Sequence, residues 1–252
     1  MLFRVSGSDV FVCGTVHFLP DGVRLPSALF STVASADDCI FESDLENASE
    51  PEYARYPGDD SISEHISSDL FDRVSDLCAD LDLSGLLPKF KPWWVTVVIG
   101  VHLIHRAGYR LDSGVDRQLW NAAKRAGKLP FVLESIEALR AFDVAPIAEQ
   151  IDRLEFVVSN PDLAGPHVQR LYEAWQAGDA ATLTQELQTQ IRLSPVTYRA
   201  LIPDRNRRWL PQILAAIDRG RSAVFVVGAL HLAGDYSLQR LLGEHGKLLL
   251  PV

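Results

Sequence analysis

The chain has 252 residues and a formal net charge of −9, with 47% hydrophobic and 23% charged residues. These values are typical of a soluble globular protein and allow one large α/β domain. The acidic excess argues against a surface for nucleic acid or anionic membranes, because such surfaces need basic patches. Three cysteines without a C-x-x-C pair argue against a disulfide framework and a thiolate zinc site.

The first part of the chain predicts a β-hairpin, a helix and a short strand. Apolar runs over residues 2–5 and 10–14 flank the turn sequence Ser-Gly-Ser-Asp. Residues 25–34 have apolar side chains at helical spacing. A strand over residues 39–41 follows and ends on Glu42.

The middle of the chain is predominantly helical in pattern. Periodic apolar residues predict helices over 63–81, 93–108 and 115–126. Residues 129–133 predict a third buried strand, which ends on Glu134. The helical pattern then runs from 136 to 220, and we expect this segment to form a cap over the edge of the sheet.

The C-terminal part returns to the sheet, with strands over 222–227 and 247–250 and a short helix over 236–242. The sequence therefore predicts an α/β fold in a single domain, residues 1–252. Its mostly parallel or mixed central sheet is built from the N- and C-terminal segments, with 136–220 as a helical cap. No secretion signal is visible, and the longest apolar run, 93–104, is too short to cross a bilayer. We expect a soluble, cytoplasmic protein without a membrane span.

Two distant stretches share an apolar, β-branched run followed by Gly-x-x-His, at residues 14–17 and 228–231. Strands this apolar are typical of parallel sheets that are covered on both faces. The glycine permits a sharp turn and a close approach to a ligand. Because open α/β sheets bind ligands at the carboxyl ends of their strands, we expect His17 and His231 to share one site.

Two carboxylates also follow predicted strands, Glu42 and Glu134. Two histidines with one or two carboxylates suit a catalytic divalent metal, which would lower the pKa of a bound water. The hypothesis assigns His17, His231 and Glu42 as metal ligands and Glu134 as ligand or general base. Arg205 would hold a substrate carboxylate or stabilise an oxyanion.

Each assignment has a structural alternative. Glu42 and Glu134 also suit the end of a strand or the cap of the next helix, and Arg205 a solvated helix face. Asp116 suits the first turn of a helix, where the dipole favours an acid. The sequence contains no H-E-x-x-H motif, so the metal hypothesis depends on residues that meet only in space.

Six short stretches, spread over nearly the whole chain, carry a family resemblance. They are Gly14-Thr15-Val16-His17; Phe41-Glu42-Ser43-Asp44; Lys91-Pro92-Trp93; Gly114-Val115-Asp116 with Gly127-Lys128 and Leu133-Glu134; Asp204-Arg205-Asn206; and Gly228-Ala229-Leu230-His231 with Gly234-Asp235. In this order they resemble the motifs of the TraB/PrgY/GumN family, which includes the TIKI metalloproteases. Two features depart from the family pattern: many GumN-like chains begin with a secretion signal, and Ser135 stands where threonine is common.

The resemblance implies an α/β fold of the kind shared with erythromycin-esterase-like and haem-binding ChaN-like proteins. It also implies a site shared by His17 and His231, places Asp116 among the candidate catalytic residues, and implies a peptidase that uses cobalt or manganese. Three hypotheses stay open: a hydrolase of peptide or other acyl bonds that needs Mn, Co or Zn; a metal-free hydrolase with His17 as base; and a regulatory module that binds a small molecule or peptide. The oligomeric state stays open as well.

Overall fold

A mixed six-stranded sheet forms the centre of the protein in a computed structural model, which describes residues 1–46, 50–134 and 139–252. The strands are β1 (Leu2–Val5), β2 (Val10–Thr15), β3 (Leu19–Pro20), β4 (Asp38–Phe41), β5 (Tyr109–Arg110), β6 (Phe131–Val132), β7 (Ala223–Gly228) and β8 (Leu249–Pro251). In the large sheet they lie in the order β6-β4-β7-β2-β1-β8, and β3 and β5 form a separate two-stranded sheet.

The strands that carry the two Gly-x-x-His motifs, β2 and β7, are direct neighbours. They run parallel, with Val10 beside Ala223 and Thr15 beside Gly228. Strands β4 and β6 continue the parallel part of the sheet, whereas β1 pairs antiparallel with both β2 and β8. The mixed α/β fold expected from the sequence is confirmed. The register brings both motifs to the carboxyl ends of the parallel strands.

Helices cover both faces of the sheet. Those in the described residues are α1 (Ser27–Ser35), α2 (Ser68–Asp80), α3 (Pro92–Arg106), α4 (Val115–Arg125), α5 (Arg140–Asp143), α6 (Ile147–Ser159), α7 (Ala164–Ala177), α8 (Ala180–Leu193), α9 (Pro195–Leu201), α10 (Pro203–Arg219) and α11 (Leu238–Glu244). Strand β7 shows why its sequence lacks polar alternation. Val224 and Val226 face the core with α1 and α4, and Phe225 and Val227 face the core with α10 and α11.

The helical layer is built from two segments of the chain, where the sequence predicted one. Helices α2 and α3 form a third core together with α6, through residues such as Val74, Ile99 and Leu154. The cap therefore includes α2 and α3 in addition to helices of the predicted 136–220 segment, whose start at 136 lies outside the described residues. Trp175 of α7 ties this layer to the sheet, since its indole nitrogen donates to the carbonyl of Gly14 at 2.6 Å.

Two predicted elements differ from the structure. Residues 129–133 were expected to form a buried strand, but β6 is an edge strand with Phe131 58% exposed. Within the described residues β6 pairs with β4 on one side only, and both of its apolar residues are exposed. A helix was predicted over residues 63–81, but α2 begins only at Ser68. The side chain of Ser67 caps the helix there by accepting a hydrogen bond from the amide of Leu70. None of the described helices combines the length and apolarity needed to span a bilayer.

Candidate functional site

A cavity of about 580 Å³ lies between the carboxyl ends of β2, β4 and β7 and the helical layer. His17, Glu42 and His231 line it from the sheet side, together with Asp116 and Arg205. The wall formed by the helices is mainly apolar. The structure thus brings five of the six candidate site residues to one cavity, and the sixth, Glu134, contacts Arg205 directly.

His17 is oriented by Asp116, at the start of helix α4. The Nδ1 atom of His17 donates to Oδ2 of Asp116 at 2.8 Å, since a carboxylate can only accept. In the neutral ring this bond places the proton on Nδ1 and leaves Nε2 as an acceptor. Asp116 therefore does more than complement the helix dipole, because it selects the ring nitrogen that His17 presents to the cavity.

Backbone contact holds this pair together. The amide of Val115 donates to the carbonyl of Val16 at 3.0 Å, so helix α4 begins directly on the loop after β2. A Cβ atom at Gly114 would lie 2.3 Å from the carbonyl oxygen of His17. Only glycine permits this approach, which explains the glycine at position 114.

The electrostatic surroundings raise the pKa of His17. Burial alone would lower it, but the negative charges of Asp116 and Glu42 outweigh burial. Because 47% of the His17 side chain is accessible to solvent, water screens part of this effect.

His231 occupies a different environment, although its sequence motif is the same. Its Nδ1 donates to Oδ1 of Asn206 at 2.7 Å, and its ring packs on Trp209 at a centroid distance of 4.4 Å. The amide nitrogen of Asn206 donates to the carbonyls of His231 and Tyr236, which fixes the orientation of the amide. Burial lowers the pKa of His231 to about 3, so this ring is neutral near pH 7, with Nε2 as acceptor.

Arg205 joins the two strand-end carboxylates. Its Nη2 donates to Glu42 at 2.7 Å and its Nε to Glu134 at 2.6 Å, with only 7% of its side chain exposed. The guanidinium also stacks on Trp209 at 4.6 Å. Burial alone would raise the pKa of Glu42, but Arg205 and the two histidines outweigh burial and hold it well below its usual range. Arg205 is thus a buried, paired cation, whereas the sequence alternative was a solvated helix face.

Three site residues converge on Gly228, the last residue of β7. A Cβ atom there would lie 3.4 Å from Oε2 of Glu42, and 3.6 Å from both Nε2 of His17 and Cδ2 of His231. The absence of a side chain at 228 leaves room among these three groups. A small group at this position would contact Glu42 and both imidazoles.

The same residues were predicted to hold a metal, and their donor set does not fit one in this arrangement. In the parts of the chain that the structure describes, no three His, Cys, Asp or Glu side chains are grouped to hold a metal ion. Oε1 of Glu42 is paired with Arg205, and Oε2 accepts from the amide of Gly228 at 2.8 Å. The cationic Nη1 of Arg205 also lies 3.4 Å from Nε2 of His231. The metal stays a prediction.

Sequence reasoning assigned no role to Asn206 and Trp209, which both position His231. The signal available for Trp209 was its position four residues after Arg205, because residues i and i+4 share a helix face. Asn206 stood beside Arg205 in the Asp204-Arg205-Asn206 stretch. The pairing of Glu42 and Glu134 with one arginine was also not predicted.

The fold and the position of the cavity define an α/β protein whose site lies at the carboxyl ends of parallel strands. The sequence profile of the TraB/PrgY/gumN family matches residues 1–249, and the chain belongs to this family. It is similar to the uncharacterized protein YbaP of Escherichia coli (strain K12), with 26% identity over 231 residues, which cover 91% of this chain and 86% of the relative. YbaP of Shigella flexneri matches to the same extent. No solved structure matches the chain.

Proposed function

We propose that the protein is a hydrolase of acyl bonds, with His17 as general base and Asp116 as the residue that orients it. The observation that carries this proposal is the 2.8 Å bond from Nδ1 of His17 to Asp116 at the edge of the cavity. In such an arrangement a second group holds the histidine through one ring nitrogen, and the other nitrogen is available to activate water or a nucleophile.

The chemical steps follow from the positions of these groups. In the deprotonated form of His17, Nε2 removes a proton from a water molecule, whose oxygen attacks the substrate carbonyl to give a tetrahedral intermediate. The imidazolium of His17 then returns the proton to the leaving group as the acyl bond breaks. Among the described residues, Nη1 of Arg205 makes only two long contacts, at 3.4 Å to the carbonyl of Leu201 and at 3.4 Å to Nε2 of His231. It is the donor available for the developing oxyanion.

The cavity wall supports a substrate with an apolar body. The lining residues from the helices include Phe142, Val168 and Leu171, which favour an acyl chain or apolar peptide side chains. The substrate class is therefore an apolar small molecule or peptide with an ester or amide bond.

The metal-dependent form of this hydrolase, with Mn, Co or Zn, is the alternative that the family resemblance implies. The observation that favours it is that both imidazoles donate from Nδ1 to an oxygen, as metal-binding histidines usually do. In this form Glu42 would have to leave Arg205 to act as a ligand.

Turnover of p-nitrophenyl esters and of quenched fluorescent peptides tests the proposal. The protein is assayed as purified, after EDTA, and after addition of Mn, Co or Zn. We expect activity that survives EDTA and is lost in His17→Ala, with the exposed His245→Ala as matched control. Activity that appears only with added metal would select the metal-dependent form, and tight binding without turnover under every condition would select the binding module.

A further inference from the structure

The helical wall of the cavity contains a second histidine–carboxylate pair, formed by His167 of α7 and Glu186 of α8. Nδ1 of His167 lies 2.9 Å from Oε2 of Glu186, and Nε of Arg170 donates to Oε1 at 3.0 Å. The Glu186 side chain is only 10% exposed. Both carboxylate oxygens are therefore engaged, and the position of the His167 ring is fixed by a buried group.

His167 is polar in an otherwise apolar wall. Among the described lining residues that α3, α5 and α7 to α9 contribute, it is the only polar side chain. Its neighbours in the wall include Val168, Leu171 and Leu183. A polar group placed alone in an apolar cavity fixes the orientation of a ligand, because a ligand without a matching group leaves it unpaired.

The chemistry of the pair identifies what His167 would recognise. The adjacent carboxylate favours the ring proton on Nδ1, which leaves Nε2 as an acceptor. Burial lowers the pKa of His167 despite the nearby Glu186, so the ring is neutral near pH 7. A neutral acceptor binds a hydrogen-bond donor, such as a hydroxyl or an amide N–H, and has no charge with which to attract an anion.

We propose that His167 is a substrate-positioning residue that accepts a hydrogen bond from a hydroxyl or N–H group on the apolar part of the substrate, away from the bond that is cleaved. The preferred substrate would then be an acyl compound with an apolar body and a donor group distant from its carbonyl. This inference rests on the proposed hydrolase function, since it assigns the second contact of the same substrate.

Three sets of straight-chain carboxamides of graded length test this contact by calorimetric binding. One set ends in a hydroxyl, one in a methoxy group and one in a methyl group. We expect the hydroxyl compounds to bind about three- to tenfold more tightly than both other sets at the best length, the gain typical of one hydrogen bond. The methoxy group can only accept, so it tests the requirement for a donor.

The variants His167→Phe and His167→Gln assign the effect to the side chain. We expect His167→Phe to remove the hydroxyl preference and His167→Gln, whose amide oxygen accepts, to retain part of it. The exposed Gln169→Ala on the same helix is the control and should keep the full preference, and thermal unfolding checks that each variant is folded.

Equal binding of the three sets, no binding of any, or an unchanged preference in His167→Phe would overturn the inference. The matching p-nitrophenyl esters, assayed with and without metal, separate it from the hydrolase proposal. A hydroxyl preference in binding without any ester turnover would refute the hydrolase and leave the His167 contact in place. Turnover without a hydroxyl preference would support the hydrolase and overturn the His167 contact.

Discussion

Nδ1 of His17 lies 2.8 Å from Oδ2 of Asp116, although the two residues are 99 positions apart in the chain. One follows a strand and the other opens a helix, and the contact between Val115 and Val16 holds these elements together. A histidine on a loop is thereby given a fixed ring orientation by a buried carboxylate.

If this contact prepares His17 for catalysis, Asp116→Asn should lower kcat strongly and should lower the free energy of unfolding less. We expect kcat to fall by about 10²-fold, at the lower end of what a positioned general base contributes. The neutral amide no longer stabilises the imidazolium that forms during the reaction. Steady-state kinetics and chemical unfolding measure both effects, and the exposed Asp112→Asn is the control. A variant with wild-type kcat would show that Asp116 has only a structural role.

The pH dependence of kcat/KM should report the pKa of His17. A general base works in its deprotonated form, so kcat/KM should rise with pH through the pKa of His17. Burial lowers this pKa, but Asp116 and Glu42 raise it by more, so its net value lies above the usual 6.5. In Asp116→Asn that pKa should fall, and the rising limb should move to lower pH. An identical limb in the two proteins would mean that another group controls the rate.

Removal of Arg205 should destabilise the protein strongly. The change Arg205→Ala leaves the carboxylates of Glu42 and Glu134, each with 15% of its side chain exposed, without their common cation. Loss of one partner of a buried ion pair typically costs about 3–5 kcal/mol, and we expect a loss of this size in the free energy of unfolding.

Urea unfolding at neutral pH measures this loss. Arg207→Ala serves as the matched control, because Arg207 is half exposed and pairs with Asp204 at the surface. A surface pair contributes about 1 kcal/mol or less, so this control should unfold nearly as the wild type does. Equal losses in the two variants would contradict a buried role for Arg205.

Two glycine substitutions should separate activity from stability. Gly228→Ala should lower activity in a folded protein, and Gly114→Ala should lower stability. In Gly228→Ala the added Cβ makes ordinary contacts of 3.4 Å or more, so the protein should fold, but it fills the space between Glu42 and the two histidines. In Gly114→Ala the Cβ would lie 2.3 Å from a backbone oxygen, and relief of this clash should cost about 1–3 kcal/mol. Thermal unfolding combined with ester turnover distinguishes the two, and a fully active Gly228→Ala would argue against a reaction at this point.

Much of the fold could be predicted because its main signals are local. The apolar runs of β2 and β7 indicate strands buried on both faces, and Pro92 and the periodic residues after it indicate α3. The prediction was wrong at β6, where an apolar sequence lies at an open edge of the sheet. An apolar run indicates a strand, but it does not say how many neighbours the strand has.

The sequence by itself determined the parts of the candidate site, because glycine turns and polar residues at strand ends are local features of the chain. It did not determine their partners. Only the tertiary structure decided that Glu42 pairs with Arg205, 163 positions away, and that His17 and His231 differ in surroundings and in the direction of their pKa shifts. Burial and the distances between charges depend on which elements pack together, and the sequence of the two motifs does not specify that packing.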